Sequence, residues 1–211
     1  MVCDPTESAL ATGPARAGDT AAPLVWSIRR GGATIAAARD LIASVDELTD
    51  DERRCLGRVE LADSRRTAWI RGRNLVRRFV APANSVVADD HGVPRATGLA
   101  VGFAHDGTWD AVIVGPCRPA VIDIVAVGAA RAAAALRRVR VTSDLDPAET
   151  WAAIECALKL TGGHIASVLG LAVEVTATIE GIEVAGIGRP VIVQVAAVED
   201  ATLAWATGGI L

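Results

Sequence analysis

Apolar residues recur along this chain in short runs of two periods, and the switches between them outline the elements. Residues 24–29 read as a strand, and the alanine-rich residues 35–43 are expected to be helical. Leu48-Thr49-Asp50-Asp51-Glu52 opens a further helix, with Thr49 or Asp50 as its N-cap. The most periodic segment covers about residues 63–80. There Ala68, Trp69, Leu75, Val76, Phe79 and Val80 make an apolar side and leave an arginine-rich one. Asp89-Asp90-His91-Gly92-Val93-Pro94 reads as a turn. Residues 99–103, 109–114 and 120–127 are short β-type runs separated by Gly, Asp and Pro. An alanine-rich helix is expected at about residues 128–138. Another begins near Pro147, where proline is well tolerated, and is ended by Gly162-Gly163. Residues 171–207 read as four antiparallel strands, with turns near Gly181, residues 186–190 and Glu199-Asp200.

The order is strand, helices, strands, helices, strands. It predicts an α+β fold with internal duplication, divided into residues 23–110 and residues 111–211. Residues 1–22, rich in Ala, Gly, Thr and Pro, are expected to be a disordered tail. A chain of 211 residues can bury a substantial core in one larger domain or two small ones. Ala, Val, Gly and Ile fill it, since aromatics make up only 3% and Tyr is absent.

Net charge is -4, which gives no reason to expect bulk nucleic-acid binding. Yet residues 53–78 hold nine arginines, at 53, 54, 58, 65, 66, 71, 73, 77 and 78. Such a segment on an acidic chain is either a local anion site or the solvated face of an amphipathic helix. The cysteines, Cys3, Cys55, Cys117 and Cys156, form no CxxC pair and read as free thiols in a reducing compartment. Met1 is followed by no apolar signal region, and no apolar run suits a membrane span, so a cytoplasmic monomer is expected.

Two segments carry the chemistry. Ala120-Val121-Ile122-Asp123-Ile124-Val125 places one carboxylate in an otherwise apolar strand, on one face with Val121 and Val125. Burying it is costly unless it meets a base, a metal or hydrogen-bond donors. Mg²⁺, which needs only one or two protein carboxylates, is one such partner. A position at a strand edge or beside a turn is the bland alternative. The second segment is Trp151-x3-Glu155-x3-Lys159, three residues on one helix face. Lys159 is the only lysine beside twenty arginines, which suggests either a task suited to a compact ammonium or a chance survivor of an arginine-biased composition. Glu155 is either a second metal ligand or the partner of Lys159 in an i,i+4 pair. His105, at the end of a strand, either contacts a phosphate or ribose or is held by its turn.

Together these residues resemble the 4'-phosphopantetheinyl transferase superfamily, in its larger pseudo-dimeric subclass, over about residues 48–163. Leu48-Thr-Asp-Asp-Glu-Arg-Arg, Asp63-Ser-Arg-Arg and Arg73-Asn-Leu-Val-Arg77 are similar to the N-terminal helices whose basic residues hold coenzyme A. Gly92-Val93-Pro94 resembles the Gly-Lys-Pro turn, and Phe103-Ala104-His105-Asp106-Gly107 the Ser-His-Ser-Gly loop. Ile122-Asp123-Ile124 resembles the Gly-(Ile/Val)-Asp-(Ile/Val)-Glu strand. Trp151…Glu155…Lys159 resembles the Trp-x-x-Lys-Glu-x-x-x-Lys helix.

The resemblance implies two pseudo-symmetric α/β subdomains with a cleft between them. It also implies transfer of phosphopantetheine from coenzyme A to a serine of an acyl- or peptidyl-carrier protein, in natural-product biosynthesis. Asp123 and Glu155 would hold Mg²⁺ on the pyrophosphate. Glu155 would help deprotonate the serine, and Lys159 would stabilise pyrophosphate charge or aid proton transfer. His105, Arg66, Arg73, Arg77 and Arg95 would bind the nucleotide end. The chain departs from the pattern at Val93, Ala104, Val125 and Ile154, each apolar where the family is polar. Those four replacements define the alternative. In it the fold is repurposed, without transferase activity, for an apolar small molecule or for binding coenzyme A or a carrier protein.

Overall fold

A computed structural model describes residues 24–58, 60–80, 85–88, 94–116, 119–126 and 130–207. The expected tail and most of the turn at 89–94, Val93 included, lie outside them. The chain divides into two compact units, Met1–Arg118 and Pro119–Leu211, and both mix sheet with helix.

The first unit opens with β1 (Leu24–Arg30) and β2 (Ala33–Arg39), joined by Gly31-Gly32. Both glycines have positive φ, 57° and 79°, which a two-residue hairpin turn matching the strand twist requires. Helix α1 (Asp50–Arg58) follows, then α2 (Asp63–Leu75), which widens into a π-helical turn at Val76–Val80. After the short ribbon of β3 (Val87–Ala88) and β4 (Pro94–Arg95) come β5 (Ala100–Asp106) and β6 (Trp109–Gly115). The main sheet runs β1-β2-β6-β5 and is antiparallel throughout. Ala36, Ala38, Val101, Val112 and Val114 pack against Leu75 and Val76 to form its core.

Where a helix is expected at residues 35–43, the chain is therefore strand up to Arg39 and irregular beyond it. Alanine is a good helix former. Here, however, Ala36 and Ala38 are buried, and the segment pairs with β1 on one side and β6 on the other. Those non-local ladders, together with the Gly-Gly turn that sets up the first of them, override local preference.

The second unit holds β7 (Ala120–Ala126), α3 (Ala130–Leu136), β8 (Arg140–Ser143) and α4 (Pro147–Thr161), then a 3₁₀ turn at Ile165–Val168. Four strands complete it: β9 (Ala172–Thr178), β10 (Gly181–Ala185), β11 (Val191–Val198) and β12 (Ala201–Thr207). They join a six-stranded sheet in the order β7-β12-β11-β10-β9-β8, antiparallel except for the β8–β9 pair. The four C-terminal strands and their turns follow the sequence pattern; β8 does not announce itself there.

Helix α4 packs against β7, β12, β11, β10 and β9. Ala152, Ala153, Ile154, Cys156, Ala157 and Leu158 are buried in this unit's core. Asp146 caps its N-terminus by accepting from Ala148 N at 2.8 Å. Gly162, left-handed at φ 70°, closes it with backbone bonds to Leu158 and Lys159. Among the described residues no helix is long and apolar enough to cross a membrane.

Candidate functional site

The two segments that the sequence marks out meet in the second unit. Val121 and Val125 of β7 belong to the core that contains α4, and Asp123 shares their face. Asp123 sits in the middle of β7, opposite Ala204 of β12, and its side chain is 6% exposed. On α4, Trp151 packs against the same core, Glu155 is half-buried one turn on, and Lys159 follows after another turn. Lys159 reaches across to the strand. Its Nζ donates to Asp123 Oδ1 at 2.6 Å and to the carbonyl of Ile122 at 2.9 Å. Residues 36 positions apart are thus joined by a charge-assisted bond, with the ammonium also tied to the backbone beside the carboxylate.

The lysine side chain is 41% exposed, so the buried carboxylate is neutralised by a cation that solvent and ligands can reach. An ammonium has three donors, and two of Lys159's are engaged by β7. Cys156 Sγ lies 3.9 Å from the Val121 carbonyl. Burial pushes its thiol far above the usual range, and Asp123's charge adds to this while Lys159 opposes it. It is accordingly protonated and inert as a nucleophile at neutral pH. Ile154, where the resembling family has a lysine, is fully buried, and Val125 is buried as well.

In the first unit, the arginine cluster from Arg71 onward is engaged by the fold itself. Arg73 is buried, with its guanidinium 3.7 Å over Trp69 and 4.8 Å over Phe103. It donates from Nε to Val86 O at 3.1 Å and from a terminal nitrogen to Trp69 O at 3.3 Å. Burial lowers its pKa to about 10, with Glu52 and Cys55 opposing the shift, so it stays charged at neutral pH. Arg77 donates to Glu52 Oε2 at 2.7 Å. Arg78 makes a two-point pair with Glu47. Of the arginines that the resemblance assigns to coenzyme A, Arg73 is enclosed and Arg77 is paired with a fully buried carboxylate.

Arg66 on α2, Arg95 on β4 and His105 near the end of β5 are exposed. The solvated-face reading of the cluster holds for Arg53, Arg54 and Arg58 on α1 and for Arg65 and Arg66 at the start of α2, and fails from Arg71 onward.

Two charged positions escape the sequence reading. Glu52 is fully buried and accepts from Val86 N at 2.7 Å, from Thr49 N at 2.9 Å and from Arg77. Its signal was the Thr49-x-x-Glu52 spacing of a capping box, closed by Glu52 N donating to Thr49 Oγ1 at 3.3 Å. Asp110 lies within β6, with Arg71 Nε 2.9 Å away, and is 2% exposed in its side chain. Burial raises its pKa to about 6, while Arg71 pulls the other way. The rule that marked Asp123, a lone carboxylate in an apolar strand, marks Asp110 equally well.

Asp123 and Glu155 are enough carboxylates in number for Mg²⁺, which fills its remaining positions with water and phosphate. The arrangement does not fit a resident ion, because the ammonium of Lys159 occupies the cation's place at Asp123 Oδ1. No group of three or more His, Cys, Asp or Glu residues placed to hold a metal occurs among the described residues. Compared with known proteins, the sequence matches no family model and no curated protein.

Proposed function

We propose that this chain is a divergent 4'-phosphopantetheinyl transferase, moving the phosphopantetheine arm of coenzyme A to a serine of an acyl- or peptidyl-carrier protein. The observation that carries the reading is the Asp123–Lys159 bond. Two residues that the resemblance assigns to one site, on separate segments, lie 2.6 Å apart. Each unit also sets a largely antiparallel sheet against helices, in keeping with a duplicated fold of that family.

In this reading Lys159 offers its third N–H to an oxygen of the pyrophosphate, and Asp123 positions it. Charge developing on the phosphoryl oxygens is stabilised by a cation already in place, which is the main demand of phosphoryl transfer. Glu155 accepts the proton of the carrier's serine as its oxygen bonds to phosphorus and the bond to the leaving phosphate breaks.

A second reading keeps the fold and drops the transfer. Ile154, Val125 and Ala104 are buried apolar residues where the family is polar, which suits an apolar small molecule or a purely binding role. One experiment separates the two. The protein is incubated with coenzyme A and several apo carrier proteins, with and without Mg²⁺, and each carrier is weighed by mass spectrometry. A mass increase that disappears in Lys159→Ala and Glu155→Ala supports the transferase. No increase with any carrier, together with no coenzyme A binding by calorimetry, sinks it. Full activity in either variant removes that residue from the site.

A further inference from the structure

We infer that Lys159 is a built-in replacement for a divalent cation, so that this site takes a pyrophosphate-type anion without magnesium. The inference rests on the phosphate-binding reading of the site given above, and it adds the identity of the positive charge. Three observations support it.

The first is position. Lys159 Nζ lies 2.6 Å from Asp123 Oδ1, where a metal ion bound to that carboxylate would compete directly with it. Its second bond, 2.9 Å to Ile122 O, fixes the amine against β7, so the charge is held in place from two directions.

The second is the donor set. Two residues along the same face of β7 stands Val125, buried and apolar, and on α4 the residue preceding Glu155 is the enclosed Ile154. Asp123 and Glu155 are the carboxylates these two segments bring to the site. One carboxylate already neutralised by an ammonium leaves little negative charge to attract a divalent ion, and Mg²⁺ dehydrates reluctantly.

The third is access. With the Lys159 side chain 41% exposed and one donor left over, the amine can hold Asp123 and an incoming phosphate oxygen together. In a composition that otherwise uses only arginine, a compact ammonium is the basic group that fits as a point charge in a metal's place.

The test begins with Mn²⁺ alone, followed by its electron paramagnetic resonance, with Mg²⁺ as competitor. This measurement needs no assumption about coenzyme A. The expected result is that wild-type protein takes up no Mn²⁺ that is lost in Asp123→Asn, while Lys159→Met binds it about tenfold more tightly or better. A wild-type Mn²⁺ site that Mg²⁺ displaces and Asp123→Asn removes overturns the inference. That wild-type titration decides even where Lys159→Met does not fold.

Calorimetry with inorganic pyrophosphate then gives the second arm. Equal affinity with EDTA and with Mg²⁺ is expected, and binding only in the presence of Mg²⁺ overturns the inference. Absence of pyrophosphate binding under both conditions overturns the phosphate reading and this inference with it. In that case the Mn²⁺ result still shows whether Lys159 excludes a metal from Asp123.

Discussion

Asp110 and Asp123 are chemically alike and placed alike, each a lone carboxylate in the body of an apolar strand. They differ in the cation each meets. Asp123 accepts a short bond from Lys159 at 2.6 Å, whereas Asp110 has Arg71 Nε at 2.9 Å, outside hydrogen-bonding alignment. Burial therefore dominates at Asp110 and its pKa rises to about 6. A carboxyl with a folded pKa above its unfolded value binds more protons in the native state. Its stabilising contribution is complete below the unfolded pKa and is lost as pH rises through about 6. Urea unfolding of wild type and Asp110→Asn across that range isolates the effect, since other groups titrate alike in both. Wild type should lose stability relative to the variant as pH rises from about 4 to about 7, by roughly 3 kcal/mol at most. Parallel pH profiles for the two proteins would show that Arg71 fully compensates the burial.

At the level of elements, local signals read from the sequence found those structures that local chemistry determines. The cap of α1, the Gly162 stop of α4 and the four C-terminal strands all follow from spacing and turn residues. Strand β2 was missed because alanine says little about a strand buried between two ladder partners, although Gly31-Gly32 marked its hairpin. Glu52 shows the same limit from the other side. Its role as a cap was visible in Thr49-x-x-Glu52, but its link to Val86 and Arg77, 34 and 25 residues away, was not. This one carboxylate ties the start of α1 to the π-helical turn after α2 and to the approach to β3. Replacing it leaves the Val86 N–H and the Arg77 charge without their acceptor. Glu52→Ala should therefore cost about 3–5 kcal/mol in chemical denaturation, beyond the roughly 1 kcal/mol of a lost helix cap. Arg77→Met in the Glu52→Ala background should recover part of that loss, because it removes the cation that Glu52 neutralises. A cost near 1 kcal/mol for Glu52→Ala would mean that water takes over its bonds.

For the molecule as a whole, composition and structure bear on the same question, what the arginines are for. Of the nine in residues 53–78, the five at 53, 54, 58, 65 and 66 are exposed, as a solvated face requires, and the four at 71, 73, 77 and 78 are drawn into the fold. A helix wheel shows which side of α2 is charged; it does not show that Glu47, Glu52 and Asp110 come from distant segments to meet it. With 21 basic residues against 25 acidic ones, and with Arg71, Arg77 and Arg78 in internal ion pairs, little positive field remains for a phosphate backbone. Nucleic-acid affinity depends on how many phosphates are neutralised, and it is strongest at low salt. The full chain should therefore pass through heparin unretained at about 50 mM salt and shift no DNA duplex in a gel. A local phosphate ligand behaves differently, because a fixed ammonium with a free donor recognises it without needing a broad positive surface. Pyrophosphate binding at Lys159 should thus persist under conditions where heparin does not bind, and Lys159→Met should abolish it. Retention on heparin that is weakened by Arg65→Ala and Arg66→Ala would show instead that the exposed start of α2 is a polyanion surface in its own right.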